Sequence, residues 1–336
     1  MERIPAALAS ATMESALKRV GLNFWASAAY SSLGIGAKAT AYYFGCQLYQ
    51  SLRVPIGLID SSRGGSMIKS WMSSESLKMF PEISQAHLVT NSEVEKPQHV
   101  ASMFYNGMLA PLRSMTFKGI IWYQGESDRL NPTQYAKLFP AFVEQLRQLF
   151  GEQLPFYYAQ IAPFSYVDRK QPLAGALLRE VQLNCEKMIP HAGMAVLTDI
   201  GDEHCIHPGN KRDVGKRLAY LALSDTYGKR GIAAHSPCYN SKVVEGNRMI
   251  LTFENAEMGL TTYNKKLMYF EIAGKEKKYL PAEARIIEKN KVEVWNDDIC
   301  EPVSVRYAFR NFVRGDLFGV NGLPVSSFRT DMFVSE

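Results

Sequence analysis

From about residue 40 to residue 225, short runs of apolar, β-branched and aromatic residues alternate with amphipathic stretches of helical period, and few folds accept that pattern. Val54–Asp60 (VPIGLID), Lys118–Tyr123 (KGIIWY), Leu154–Ile161 (LPFYYAQI) and Met194–Asp199 (MAVLTD) are continuously apolar for most of their length. Such runs predict strands buried on both faces, as a parallel sheet requires. Between them, Tyr42–Leu52, Asn131–Phe150, Leu173–Met188 and Asn210–Thr226 carry helical periodicity. Strand and helix in regular alternation predict an α/β fold, a three-layer sandwich around a parallel sheet with right-handed crossovers.

From about His235 the pattern becomes short strands punctuated by turns: Lys242–Val244, Arg248–Phe253, Leu267–Ile272, Ala284–Ile287, Val292–Trp295 and Val303–Phe309. The expected organisation is therefore an α/β part over residues 1–230 and a smaller all-β lobe over residues 231–336. The first 40 residues carry the weakest pattern. Met13–Val20 is a candidate helix there, and Gly34-Ile35-Gly36 marks a turn.

The chain has 336 residues, 46% hydrophobic and 21% charged, which excludes a disordered chain and allows a substantial core. The net charge of +5 is spread along the sequence. Its densest cluster, Lys275–Lys278, reads as a solvated hairpin tip, so no nucleic-acid partner is expected. No apolar run approaches the ~18 residues that span a bilayer, so no membrane partner is expected. The N-terminus lacks a basic stretch followed by an apolar one, so it does not read as a signal peptide. Five cysteines without CxxC spacing (Cys46, Cys185, Cys205, Cys238, Cys300) predict free, mostly buried thiols and favour the cytoplasm.

Three segments at predicted strand ends carry the chemistry, on the edge where open α/β sheets gather ligands. In Asp60-Ser61-Ser62-Arg63-Gly64-Gly65-Ser66, paired glycines after a buried strand can turn the backbone N–H groups toward an anion. A plain strand-to-helix turn explains the same residues, and Trp71 beyond them reads as core. In Trp122-Tyr123-Gln124-Gly125-Glu126-Ser127-Asp128, Gln124 can donate to a developing oxyanion and Glu126 can orient a neighbour. Asp128 has the simpler role of a helix cap. In the third, Asp199 to Pro208, His207 stands just before a helix and has the setting of a general base. Carboxylates close upstream can fix its tautomer. Two histidines and two aspartates also permit a metal reading, but no further ligand of matching spacing appears, so none is assigned.

These motifs, read in order, resemble one family. VPIGLIDSSRGGSMIKSWMS, FYNGMLAPL, GIIWYQGESD, YYAQIAPF, LLREVQ and CIHPGNKRDVGKRLA follow one another as in sialate O-acetylesterases, which are SGNH-type carbohydrate esterases. The later strands, with Phe270-Glu-Ile-Ala-Gly274 and Pro302-Val-Ser-Val-Arg-Tyr307, resemble the same family's C-terminal part, so the likeness runs from Ala41 to Asp331. The resemblance implies an SGNH sandwich with β accessory lobes and no cofactor. It implies serine-esterase deacetylation of O-acetylated sialic acids or related glycans, and a periplasmic or secreted location. By residue it implies His207 as general base, with the N–H of Gly64 or Gly65 and the side chain of Gln124 in the oxyanion hole beside Glu126.

Two departures follow. The family's usual Asp lies three residues before the catalytic His, where this chain has His204. The orienting acid is then Asp202, Asp199 or Glu126, with Asp202 preferred. The family's nucleophile sits in a Gly-Gln-Ser-Asn-Met segment upstream of the VPIGLID strand, and that segment is absent from these residues. No nucleophile is assigned. Ser61, Ser62 and Ser66 lie on the oxyanion turn, which argues against them. The expectation is an N-terminally incomplete and inactive form; a catalytically dead glycan-binding relative and an acetylxylan-type esterase are the alternatives. A sheet lacking the nucleophile's strand would expose backbone groups unless residues 1–35 replace it.

Overall fold

The computed structural model describes residues 23–29, 35–90, 95–167 and 171–331; the candidate helix Met13–Val20 lies outside them. Five strands, β1 (Asn23–Ala29), β2 (Ile56–Asp60), β3 (Gly119–Tyr123), β4 (Phe156–Ala159) and β5 (Ala192–Ala195), form one parallel sheet of order β2-β1-β3-β4-β5. Four long helices accompany them: α1 (Ile35–Leu52), α2 (Pro132–Phe150), α3 (Ala174–Met188) and α4 (Lys211–Leu221). Ile35 and Gly36, read from the sequence as part of a turn, open α1.

Residues before position 35 do supply a central strand. β1 runs parallel to β2, with Ser27 opposite Asp60, and parallel to β3, with Ala29 opposite Tyr123. Its ladder satisfies backbone groups that β2 and β3 would otherwise expose. β3 and β4 are buried along their whole length. β2 departs from the both-faces expectation because it is an edge strand, and Leu58 is 37% exposed. β5 ends at Ala195 rather than Asp199. Thr198 is drawn out of the ladder: its carbonyl accepts from Gly315 N at 3.0 Å and its hydroxyl donates to Val325 O at 2.8 Å.

The chain divides into two compact units. The first comprises residues 1–124, 138–158 and 211–230. Trp25 is fully buried there, edge-on to Phe44 at 4.9 Å and stacked on Tyr157 at 6.0 Å, and its indole N–H donates to Tyr227 Oη.

The second unit comprises residues 125–137, 159–210 and 231–336. It holds the β-rich part: β6 (Cys238–Glu245), β7 (Arg248–Glu254), β8 (Leu260–Thr261), β9 (Phe270–Ala273), β10 (Leu280–Pro281), β11 (Glu283–Glu288), β12 (Lys291–Trp295), β13 (Ser304–Tyr307), β14 (Phe318–Gly319) and β15 (Phe328–Arg329). Two four-stranded antiparallel sheets, β11-β12-β7-β6 and β10-β9-β13-β15, enclose Leu251, Ile272, Val292, Val305, Tyr307 and Phe328. Lys275–Lys278 lies between β9 and β10 as a hairpin tip, and Lys275 pairs with Glu301. All five cysteines are free, but only Cys185 and Cys238 are buried. Cys205 and Cys300 stand on surface turns, which corrects the expectation of mostly buried thiols.

Candidate active site

In the first unit, β2 and β3 end side by side with β1 between them, and the first two motif segments leave from those ends. Gly65 has φ +70, a left-handed turn that a side chain resists. The turn brings the Ser66 carbonyl against the second segment, where Gln124 Nε2 donates to it at 2.8 Å. Gln124 is 2% exposed, so its amide plane is fixed in a protein-lined setting. Ser66 is also buried, and its hydroxyl accepts from the indole of Trp71 at 2.9 Å, which confirms Trp71 as core. The Ser62 hydroxyl donates to Asp60 Oδ1 at 2.7 Å. The Ser62 and Ser66 hydroxyls are thus each engaged with a group other than an imidazole. At the start of α4, the Lys211 ammonium lies 5.1 Å from the Tyr123 ring centre.

In the second unit, Gly125 has φ +155, and a Cβ there would stand 2.8 Å from Ile161 Cγ2 and 3.1 Å from Gln182 Nε2. Only glycine admits that approach, and it packs the start of the Glu126–Asp128 turn against α3. Glu126 is 3% exposed, and its carbonyl accepts from Arg129 Nη1 at 3.0 Å. Asp128 belongs to the buried Glu126–Asp128 turn, and Asn131, the residue before α2, accepts from Gln134 N through its side chain.

The third segment is a compact loop. Asp202 Oδ1 accepts from His204 N and Cys205 N, both at 2.9 Å, and these two N–H groups hold its carboxyl below the ordinary carboxylate range. The Cys205 thiol donates to the His207 carbonyl at 3.1 Å. His207 is half-buried, as is Asp199, and Pro208 behind it is buried. Asp202 is therefore a turn-former as much as an acid. Among the described residues, no three His, Cys, Asp or Glu side chains gather as a cation would need.

One part of the second unit was not foreseen. The exposed edge of the His207 loop, residues 202–204, lines a cleft of about 450 Å3 with Tyr269, Phe312 and Arg314. These three residues lie far along the chain in the β-rich part. The only sequence signal for Phe312 and Arg314 is an aromatic and a basic residue in a short loop closed by Gly315.

A parallel α/β sheet with a glycine turn and a fixed glutamine at its strand ends, followed by antiparallel β sheets, defines the chain as an SGNH-type sandwich with a β accessory part. The comparisons agree. The family of carbohydrate esterases described as sialic acid-specific acetylesterases matches residues 26–224, and the chain belongs to it. A sialate O-acetylesterase of Pongo abelii is 28% identical over 311 residues, covering 85% of this chain and 59% of the relative. The Homo sapiens sialate O-acetylesterase is 31% identical over 234 residues, covering 63% and 44%. The chain thus spans less than two thirds of the length of these relatives. A crystal structure of a carbohydrate acetylesterase from Xanthomonas citri is 28% identical, with TM-score 0.82 over 93% of this chain and 81% of that one.

Proposed function

We propose that the chain supplies the acyl-transfer site of a carbohydrate O-acetylesterase that removes O-acetyl groups from sialic acids or related glycans. The observation that supports this most is the Gln124 Nε2 bond to the Ser66 carbonyl, which fixes a side-chain amide beside the Gly64-Gly65 turn. A primary amide carries two N–H groups, so fixing one sets the direction of the other. In this reading the Gln124 amide and the N–H of Gly64 or Gly65 receive the oxyanion, and the family resemblance gives Glu126 an oxyanion or substrate role. His207 takes a proton from the nucleophilic hydroxyl and returns it to the departing sugar oxygen. Residues 1–230 carry this chemistry, residues 231–336 form an accessory lobe, and the setting is periplasmic or secreted. No serine among the 336 residues is assigned as nucleophile.

Turnover of 4-nitrophenyl acetate tests this. Residues 1–336 alone hydrolyse it no faster than background histidine catalysis, and His207→Ala changes little, because a base without its nucleophile has few protons to take. A polypeptide that also carries an upstream Gly-Gln-Ser-Asn-Met segment, where the reading frame encodes one, gains orders of magnitude and depends on His207. In that form Gln124→Ala costs about 100- to 1,000-fold in kcat. Asp202→Asn keeps the turn-forming oxygen but removes the charge. A loss near 10⁴-fold assigns Asp202 as the orienting acid, whereas near-full activity moves that role to Asp199 or Glu126. Robust turnover by residues 1–336, abolished by Ser62→Ala or Ser66→Ala, sinks the proposal's account of the nucleophile.

A further inference from the structure

We infer that the cleft between residues 202–204 and the β-rich loops is a subsite for a neutral pyranose ring, the sugar next to the one that is deacetylated. Its place beside the active-site loop rests on the proposed esterase function; its occupancy by a sugar rests on the cleft itself.

Its size, about 450 Å3, falls within the roughly 300–1,000 Å3 of small-ligand pockets. Its chemistry is mixed in the way a sugar needs. A pyranose offers an apolar C–H face and a rim of hydroxyls, each both donor and acceptor. Tyr269 and Phe312, both half-buried, supply aromatic surface. Asp202 and Glu203 supply acceptors only, and Arg314 supplies donors only, so a hydroxyl finds a partner whichever way it points. An anionic ring suits the cleft poorly, because Asp202 and Glu203 set two carboxylates against the single guanidinium of Arg314, with the His204 imidazole the one other titratable group besides the Tyr269 phenol.

The walls are also held in place before any ligand arrives. The loop carrying Phe312 and Arg314 is tied down on both sides. On one, Asn311 Oδ1 accepts from Gly175 N at 2.8 Å, and the Asn311 carbonyl accepts from Phe164 N at 3.1 Å and from the buried Arg179 at 3.3 Å. On the other, Gly315 N donates to Thr198 O. Tyr269 is fixed through its neighbours: Met268 N donates to Asp316 Oδ2 at 2.6 Å, and Ala308 N donates to the Tyr269 carbonyl. Asp202 is fixed by its own turn. A cleft whose walls need no ordering loses little on binding, which favours small ligands.

The test needs no turnover. Methyl β-D-galactopyranoside and methyl β-D-glucopyranoside are titrated into 15N-labelled residues 1–336, and the amide shifts of residues 202–204, 269 and 312–314 are followed. At least one saturates with a Kd on the order of 1–10 mM, the range a ligand of this size reaches. Phe312→Ala weakens binding at least 10-fold, and so does Arg314→Ala, an exposed change that leaves the fold's amide spectrum intact. N-acetylneuraminic acid binds more weakly than the neutral glycoside. Absence of saturable shifts at 100-fold the protein concentration and beyond (to about 50 mM), or affinity unchanged in both variants, overturns the subsite. Tighter binding of N-acetylneuraminic acid overturns its neutral character. Because binding is read by amide shifts, an inactive chain leaves this result standing, and an active one does not rescue it.

Discussion

Arg306 donates from Nη2 to Asp331 Oδ2 at 2.9 Å, and its guanidinium lies 3.9 Å from the Tyr279 ring centre. The Asp331 side chain is fully buried. Burial by itself raises the Asp331 pKa, but the bonds from Arg306 and Tyr279 outweigh it and leave the carboxyl below its ordinary value. A carboxyl depressed in the folded state stabilises fully above its unfolded pKa of ~3.9, and that contribution is lost as pH falls through the lower folded value. Asp331→Asn is therefore less stable than the parent at pH 7, by about 2 kcal/mol for a charge-assisted bond, and the gap narrows below pH ~4. Urea midpoints at both pH values check this; an equal gap at pH 3 and pH 7 contradicts it. None of this was legible in the sequence, since nothing in Val-Arg-Tyr or Thr-Asp says that the two residues meet. Gln124 was legible as a polar residue at the end of the apolar run Gly119–Tyr123 that needs a partner, and the Ser66 carbonyl is that partner. The Asp202 turn was half legible: an aspartate whose side chain binds backbone N–H groups two and three residues on is a local device. The orienting acid is the part that spacing leaves open.

Periodicity carried most elements. β3, β4, α2, α3 and α4 lie where the runs and helical spacings put them, because the two strands are buried along their length and the helices keep one period over 11 to 19 residues. β1 was missed for a physical reason. Asn-Phe-Trp-Ala-Ser-Ala-Ala has two large apolar residues and then small ones with weak β-propensity, so no strand signal rises above its surroundings. Its place comes from the ladders on either side and from one side chain. Trp25 fills the space among Phe44, Tyr157 and Tyr227 and bonds the Tyr227 hydroxyl at 3.2 Å. Trp25→Ala leaves a large cavity and removes the bond to the Tyr227 hydroxyl, at a cost of about 3–5 kcal/mol, and Trp25→Phe costs less. Chemical denaturation of both variants measures this. A change within ~0.5 kcal/mol for Trp25→Ala means that β1 is not part of the stable core.

On the scale of the whole chain, the change of pattern near residue 230 is a change of secondary-structure type, and the bonding runs straight through it. Arg179 on α3 is fully buried, and burial pushes its guanidinium down to a pKa of about 10. Its acceptors are Ser327 Oγ and the carbonyls of Arg310 and Asn311, all beyond residue 230. Gln160 Nε2 donates to Ser326 Oγ at 2.9 Å, Thr198 donates to Val325 O, and Arg329 bonds both oxygens of Glu180 at 2.8 and 2.9 Å. The backbone joins in, with Gly175 N on Asn311 and Gly315 N on Thr198. Cutting at residue 230 would leave a guanidinium, an amide and several backbone groups without the partners they have in the fold, each at a cost of about 1–3 kcal/mol and more for the charge. Against a typical total stability of roughly 5–15 kcal/mol, that loss is decisive. Residues 1–230 expressed alone therefore lack a cooperative thermal transition and a dispersed amide spectrum, while residues 1–336 show both. Adding residues 231–336 as a separate chain restores structure only where the two fragments associate. A fragment 1–230 that melts cooperatively, with its Arg179 signal still protected from solvent exchange, would show that the β-rich part is dispensable for the α/β fold.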